Sequence, residues 1–269
     1  MNVRLPKKCF ISHAYADAGA RDQLIASLPS DIDARVFPPI TVSPDQFVSN
    51  QLIQSLTECD GLIYLKGGAS ERSFWVAFER DYALRSGKQV FSADVESLKL
   101  ARHSGNPLDL ATFASYHRED LPRVREIASF LKNERYFDLW VDVDDLEGNK
   151  ELVEAIRVSI EDRLRRGGYV VVFWSHLARD SQWVQAEIRR AAEGITKLND
   201  RVLFALLEDI AVPEFWLRFH EPVVQLYGDE ERSASQRLDD LVVRLYWLIF
   251  RKTEYRHLEE GAVGAGSQE

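Results

Sequence analysis

One chemically suggestive pattern occurs twice in this chain. Ser73-Phe-Trp75-Val-Ala-Phe-Glu79 and Ser181-Gln-Trp183-Val-Gln-Ala-Glu187 both read Ser-x-Trp-x-x-x-Glu. On a helix, residues four apart lie one turn from each other on the same face, so each pattern sets an indole beside a carboxylate. Placed at the strand-end edge of a sheet, such a pair makes a candidate pocket. Each residue also has a plain structural use. Ser73 and Ser181 stand where helix caps stand, Trp75 and Trp183 would suit a core, and a helical glutamate is ordinarily solvated. The same three residues at the same spacing in two places favour the chemical reading.

The flanking elements repeat as well. Lys8 to Ser12 reads as a strand, Ala18 to Leu28 as a helix, Asp31 to Phe37 as a strand and Val48 to Leu56 as a helix. Gly61 to Leu65 is a buried-strand run, Gly67-Gly68 a break, Ser73 to Arg85 a helix with Gly87 as its C-cap, and Lys88 to Ala93 a strand. The rhythm then breaks between Asp94 and Leu110 around Ser104-Gly-Asn-Pro107. It resumes with strands over 110–115, 138–142, 169–174, 201–207 and 223–227, and helices over 121–133, 150–165, 181–194 and 233–251. Ser12 precedes Asp17 by five positions, as Ser115 precedes Asp120; Asp17 to Glu79 is 62 residues and Asp120 to Glu187 is 67. The expected organisation is a first domain over 1–103, a linker over 104–110, a second domain over 111–252 and a flexible tail over 253–269.

Alternating strands and helices of these lengths imply α/β domains, each a parallel sheet with helices on both faces. In such sheets ligands bind at the carboxyl ends of the strands. The loops at Ser12–Asp17 and Ser115–Asp120 and the starts of the two Trp-Glu helices belong to that edge. His13 and His117 have no carboxylate or nucleophile placed beside them by spacing, so loop hydrogen bonding is their expected use. Asp17 and Asp120 are expected to cap the helices that follow them.

Bulk properties exclude several classes. Of 269 residues 45% are hydrophobic and 29% charged, enough for real cores and against disorder. A net charge of −9, with only short basic clusters, argues against a nucleic-acid partner. Two distant cysteines, Cys9 and Cys59, suit a reducing cytoplasm, and no metal-ligand spacing is present. Leu241 to Phe250 is apolar but too short for the ~20 residues of a membrane span and holds Arg244. No signal peptide is visible at the N-terminus. A cytoplasmic chain without metal, membrane or cofactor is expected.

FISHAYAD (10–17) and FASYHRED (113–120) resemble the first-strand loop of Toll/interleukin-1 receptor (TIR) domains, and the Ser-x-Trp-x-x-x-Glu helix resembles the one bearing that family's catalytic glutamate. LWVDVDDLEGN (139–149) resembles its second strand and BB loop, with Asp142 and Gly148 in place, whereas VFPPITVSPDQ (36–46) departs from it. The resemblance implies two flavodoxin-like TIR domains of bacterial type in tandem, the first divergent. It implies either cleavage of NAD+ at the nicotinamide–ribose bond, to ADP-ribose or a cyclic variant, or a purely self-associating adaptor. A nucleoside deoxyribosyltransferase-like enzyme is a third reading that the BB-loop match disfavours. On the enzymatic reading Glu79 and Glu187 are catalytic. Ser12, His13, Tyr15, Ser73, Trp75, Ser115, Tyr116, Arg118, Asp142, Ser181 and Trp183 are substrate-binding candidates. NAD+ is then substrate rather than cofactor, the role anti-phage immunity, and the partners a sensor or effector protein and further copies of the chain, stacked into filaments.

Overall fold

The computed structural model describes residues 4–37, 48–108, 112–141, 168–182, 184–185, 188, 202–213, 223–228 and 232–248. Asp142, Gly148, Trp183, Glu187, the helix expected over 150–165 and the expected tail lie outside the described residues. The chain divides into two compact units between Leu108 and Asp109.

Unit 1 contains β1 (Lys8–Ser12), α1 (Ala18–Ser27), β2 (Asp33–Arg35), α2 (Val48–Thr57), β3 (Gly61–Lys66), α3 (Phe74–Arg85), β4 (Gln89–Asp94) and β5 (Leu100–Arg102). Its sheet runs β2-β1-β3-β4-β5. β1 pairs in parallel with β2 and β3, and β3 with β4. Cys9, Ile11, Ile63, Leu65, Phe91 and Ala93 form one core with Leu24 of α1. Strand alternation turns Phe10, Ser12, Leu62 and Tyr64 to the opposite face. Gly87 closes α3 at φ 71°, the left-handed conformation a glycine adopts without strain.

β5 was not foreseen, and it corrects the all-parallel expectation for this sheet. It pairs antiparallel with β4, Ser92 opposite Ala101. The turn that reverses the chain contains no glycine. The Asp94 side chain accepts hydrogen bonds from the N–H groups of Glu96 (3.2 Å) and Ser97 (2.9 Å), and Leu98 takes φ 53°. An aspartate folding back on its own backbone makes the turn, and three strand residues show no alternation to read. Nor is the linker stretch free at Leu108. Asp81 of α3 accepts from its N–H, and Arg85, bonded to Asp81 at 2.8 Å, donates to its carbonyl.

Unit 2 contains β6 (Thr112–Ser115), α4 (Leu121–Arg135), β7 (Leu139–Trp140), β8 (Tyr169–Trp174), α5 (His176–Asp180), β9 (Val202–Leu206) and β10 (Val223–Gln225). Residues 234–248 are helical. The sheet runs β10-β9-β8-β6-β7 and every pairing is parallel. Counted within each unit, both sheets lay their strands in the order 2-1-3-4-5, the flavodoxin-like arrangement, whose switch point lies between the first and third strands. Phe113, Val170, Val172, Trp174, Phe204 and Ile188 meet in one core. The last helical stretch is tied down by Asp239, fully buried and paired with Arg135 of α4. No helix among the described residues is long and apolar enough to cross a membrane.

Candidate functional site

β1 ends at Ser12, and the chain passes through a 3-10 turn, Tyr15–Asp17, straight into α1. That turn changes the role of Asp17. It occupies the N-cap position, but with φ −98° and ψ 18° its side chain makes no cap bond; a capping residue needs extended backbone to reach the free N–H groups. Its carboxylate crosses to the loop after β3. Oδ2 accepts from the Ser70 hydroxyl (2.6 Å) and the Ser70 N–H (2.7 Å), while Ser70 Oγ accepts from the Ala14 N–H (2.8 Å). Gly68 permits the approach: it sits at φ 58°, and a Cβ there would lie 2.8 Å from Asp17 Oδ1.

Unit 2 builds the same clasp. Asp120 follows a 3-10 turn, takes φ −81° and ψ −8°, and makes no cap bond. It accepts instead from the Ser175 hydroxyl at 2.6 Å. The expectation that Asp17 and Asp120 cap their helices is thus corrected in both units. The sequence concealed the pairing because the serines do not align. Ser70 stands three residues before Ser73, whereas Ser175 stands six before Ser181. The difference is taken up by α5, a five-residue helix too short to show a period in the sequence.

Glu79 lies on α3, on the side of the helix that meets the end of β1. It is 6% exposed, and Ser12, fully buried, donates to its Oε2 at 2.5 Å. Burial pushes the Glu79 carboxyl up from 4.5 to about 8, and the Ser12 hydrogen bond opposes that rise. Oε1 accepts no hydrogen bond from a described residue, yet it is not among the sealed, unsatisfied buried atoms. The remaining exposure of Glu79 therefore includes that oxygen. The carboxyl has one anchored oxygen and one open one, and once ionised it can face a cation at short range in a poorly hydrated setting.

The other expected residues are distributed as follows. Ser73 caps α3, accepting from the Val76 N–H at 3.4 Å, and Ser181 likewise accepts from the Val184 N–H at 3.3 Å. Trp75 is half-buried, edge-on to Phe74 and Phe78. His13 Nε2 accepts from Arg21 at 2.9 Å; burial first, and Arg21 second, lower its pKa, so it is a neutral loop acceptor. Tyr15 is 78% exposed. Ser115 is buried at the end of β6, Tyr116 is half-buried and Arg118 exposed. His117 accepts from the Glu119 N–H at 3.3 Å and so caps the 3-10 turn. The structure brings Ser12 and Glu79 together directly. It leaves Tyr15 at the surface.

A polar pair without any local sequence signal joins α5 to the residues just after β9, where His176 Nδ1 meets the Glu208 carboxylate. Hydrogen bonds from His176 hold the Glu208 pKa below its ordinary value. Cys9 is pushed up to about 12 by burial and Cys59 is raised for the same reason, so neither free thiol is a ready nucleophile. Among the described residues no group of three or more His, Cys, Asp or Glu side chains could hold a metal ion.

Unit 2, with its parallel five-stranded sheet, is the part of the chain that matches a known family. Residues 113–242 match the TIR domain family. The match begins inside β6 and ends inside the last helical stretch, so it takes in the five described strands of unit 2. No curated protein matches the chain.

Proposed function

We propose that the protein is a TIR-type NAD+ glycohydrolase, or a producer of a cyclic ADP-ribose-type signal from NAD+, acting in bacterial anti-phage immunity. In this reading unit 1 is a second, divergent TIR domain. The observation that carries it is Glu79: a buried carboxyl with one open oxygen, on the Trp-Glu helix, beside the end of the first strand. A carboxylate with no structural ion pair is costly to bury, and a pure scaffold has no use for one. Glu187 repeats the motif in the matched TIR domain.

The chemistry asks little else of the protein. The nicotinamide of NAD+ is already cationic, so the glycosidic C–N bond breaks with its electron pair passing to the ring nitrogen, and no general acid is needed. The ribosyl cation that develops is stabilised by the Glu79 carboxylate. Water then adds at the anomeric carbon and loses a proton, giving ADP-ribose; attack by an adenine nitrogen gives a cyclic product. Because burial pushes the carboxyl up to about 8, a cationic substrate is the kind of ligand that would draw it into its charged form.

Self-association through TIR surfaces is part of the proposal. The test is incubation of the full chain with NAD+ and measurement of free nicotinamide, with Glu79→Gln and Glu187→Gln in parallel. Release that both single variants retain in full, or no release from the assembled protein, would overturn the enzymatic reading in favour of an adaptor.

A further inference from the structure

We infer that Ser12 is a positioning residue for Glu79, anchoring Oε2 so that Oε1 is the oxygen presented to a ligand, and is not itself a ligand contact. This rests on the reading of Glu79 as the reacting carboxyl.

Three observations converge on it. Ser12 is fully buried and its hydroxyl is spent on Glu79 Oε2 at 2.5 Å. It therefore has no surface to offer a ligand. Second, the two oxygens of Glu79 differ: Oε2 is bonded to Ser12, while Oε1 is neither bonded to a described residue nor sealed from solvent. A carboxyl free to rotate would exchange these roles; the bond to a strand residue fixes them. Third, a serine stands buried at the matching strand end in unit 2, where Ser115 is 1% exposed. A buried hydroxyl is costly unless bonded, and an alanine would end either strand without that cost.

Among the described residues, burial and one hydrogen bond act on the ionisation of Glu79. Burial raises its pKa and the Ser12 hydrogen bond lowers it. On the same helix Arg80 lies over the Tyr64 ring of β3, 5.4 Å from its centroid. Beyond β1, His13 is held by Arg21. None of these groups acts on the Glu79 carboxyl. Removing the Ser12 hydroxyl should therefore move the titration of Glu79 upward, because a bond that favours the charged form is lost.

The experiment uses the full chain as wild type, Ser12→Ala, Ser12→Thr and Glu79→Gln. Infrared difference titration without ligand follows the protonated carboxyl band that disappears in Glu79→Gln. Ser12→Ala is expected to raise its midpoint by about one pH unit, and Ser12→Thr, which keeps the hydroxyl, to return it towards wild type. With NAD+, the acidic limb of kcat for nicotinamide release should shift upward in Ser12→Ala while KM stays within about twofold. An unmoved midpoint, an equal shift in Ser12→Ala and Ser12→Thr, or a raised KM with unchanged kcat would each overturn the inference. Absence of any nicotinamide release would defeat the enzymatic reading, and the ligand-free titration would still decide the role of Ser12.

Discussion

In unit 1 the fifth strand turns back antiparallel beside β4, whereas in unit 2 it runs parallel beside β9 and leads into the helical stretch 234–248. Chain length explains the contrast. Only residues 95–99 separate β4 from β5, room for a hairpin and nothing else, while residues 207–222 separate β9 from β10, enough for a crossover. The first four strands, which carry the clasped loop and the Trp-Glu helix, keep one order in both units. The four strands that the sheets share in order and direction are thus the ones that build the candidate site. The fifth, which closes each unit, differs in direction.

Each unit also fixes its own end by a different buried pair. Unit 1 uses Asp81 and Arg85 of α3 to hold the Leu108 peptide group; unit 2 uses Arg135 of α4 to hold Asp239 on the closing stretch. The helix that bears Glu79 therefore also holds the last residue before the unit boundary.

The comparison can be broken most directly through its glutamates. Glu79→Gln should lower nicotinamide release by about 10²–10³-fold if unit 1 holds all of the activity, and by only that unit's share if Glu187 works beside it. Glu187→Gln, assayed beside it, divides the remaining activity between the units. Next in size is the closing pair. Asp239→Ala leaves the Arg135 guanidinium without its buried partner and should cost about 3–5 kcal/mol in urea unfolding. If the units unfold separately, the loss will be confined to one transition.

A pH series sharpens the contrast further. Glu79 binds its proton more tightly in the folded chain than in the unfolded one. Its contribution to stability is therefore full below about pH 4.5 and is lost as pH rises towards about 8. Glu79→Gln has no proton to lose. Its stability relative to wild type should climb across that window, by at most about 1.4 kcal/mol per pH unit. A difference that stays flat with pH would mean that the carboxyl is solvated. The smallest expected effect tests whether the clasp is one device used twice. Asp17→Ala and Asp120→Ala should each cost about 1–3 kcal/mol, with Asp17 the larger because it accepts from both the hydroxyl and the N–H of Ser70.

Much of this was legible beforehand. The runs 61–65, 169–174 and 201–207 read as strands, and Ser73, Ser181 and Gly87 marked helix ends where the structure has them. β5 was not legible, since three residues carry no period and its turn is made by an Asp94 side chain rather than a Gly pair. The aspartates were misread for a related reason. A capping position can be recognised from residue type, but the backbone angles that allow or forbid the cap bond cannot.

The Ser-x-Trp-x-x-x-Glu duplication, the strand-loop-helix order and the resemblance in residues 113–120 and 139–149 were determined by sequence alone, because they rest on local spacing and residue type. Only the tertiary structure decided that Ser12, 67 residues from Glu79, would be its partner, and that Asp17 and Asp120 would reach serines 53 and 55 residues away. Those pairings depend on which strands become neighbours and how deeply each group is buried. Neither is written in any short stretch of chain.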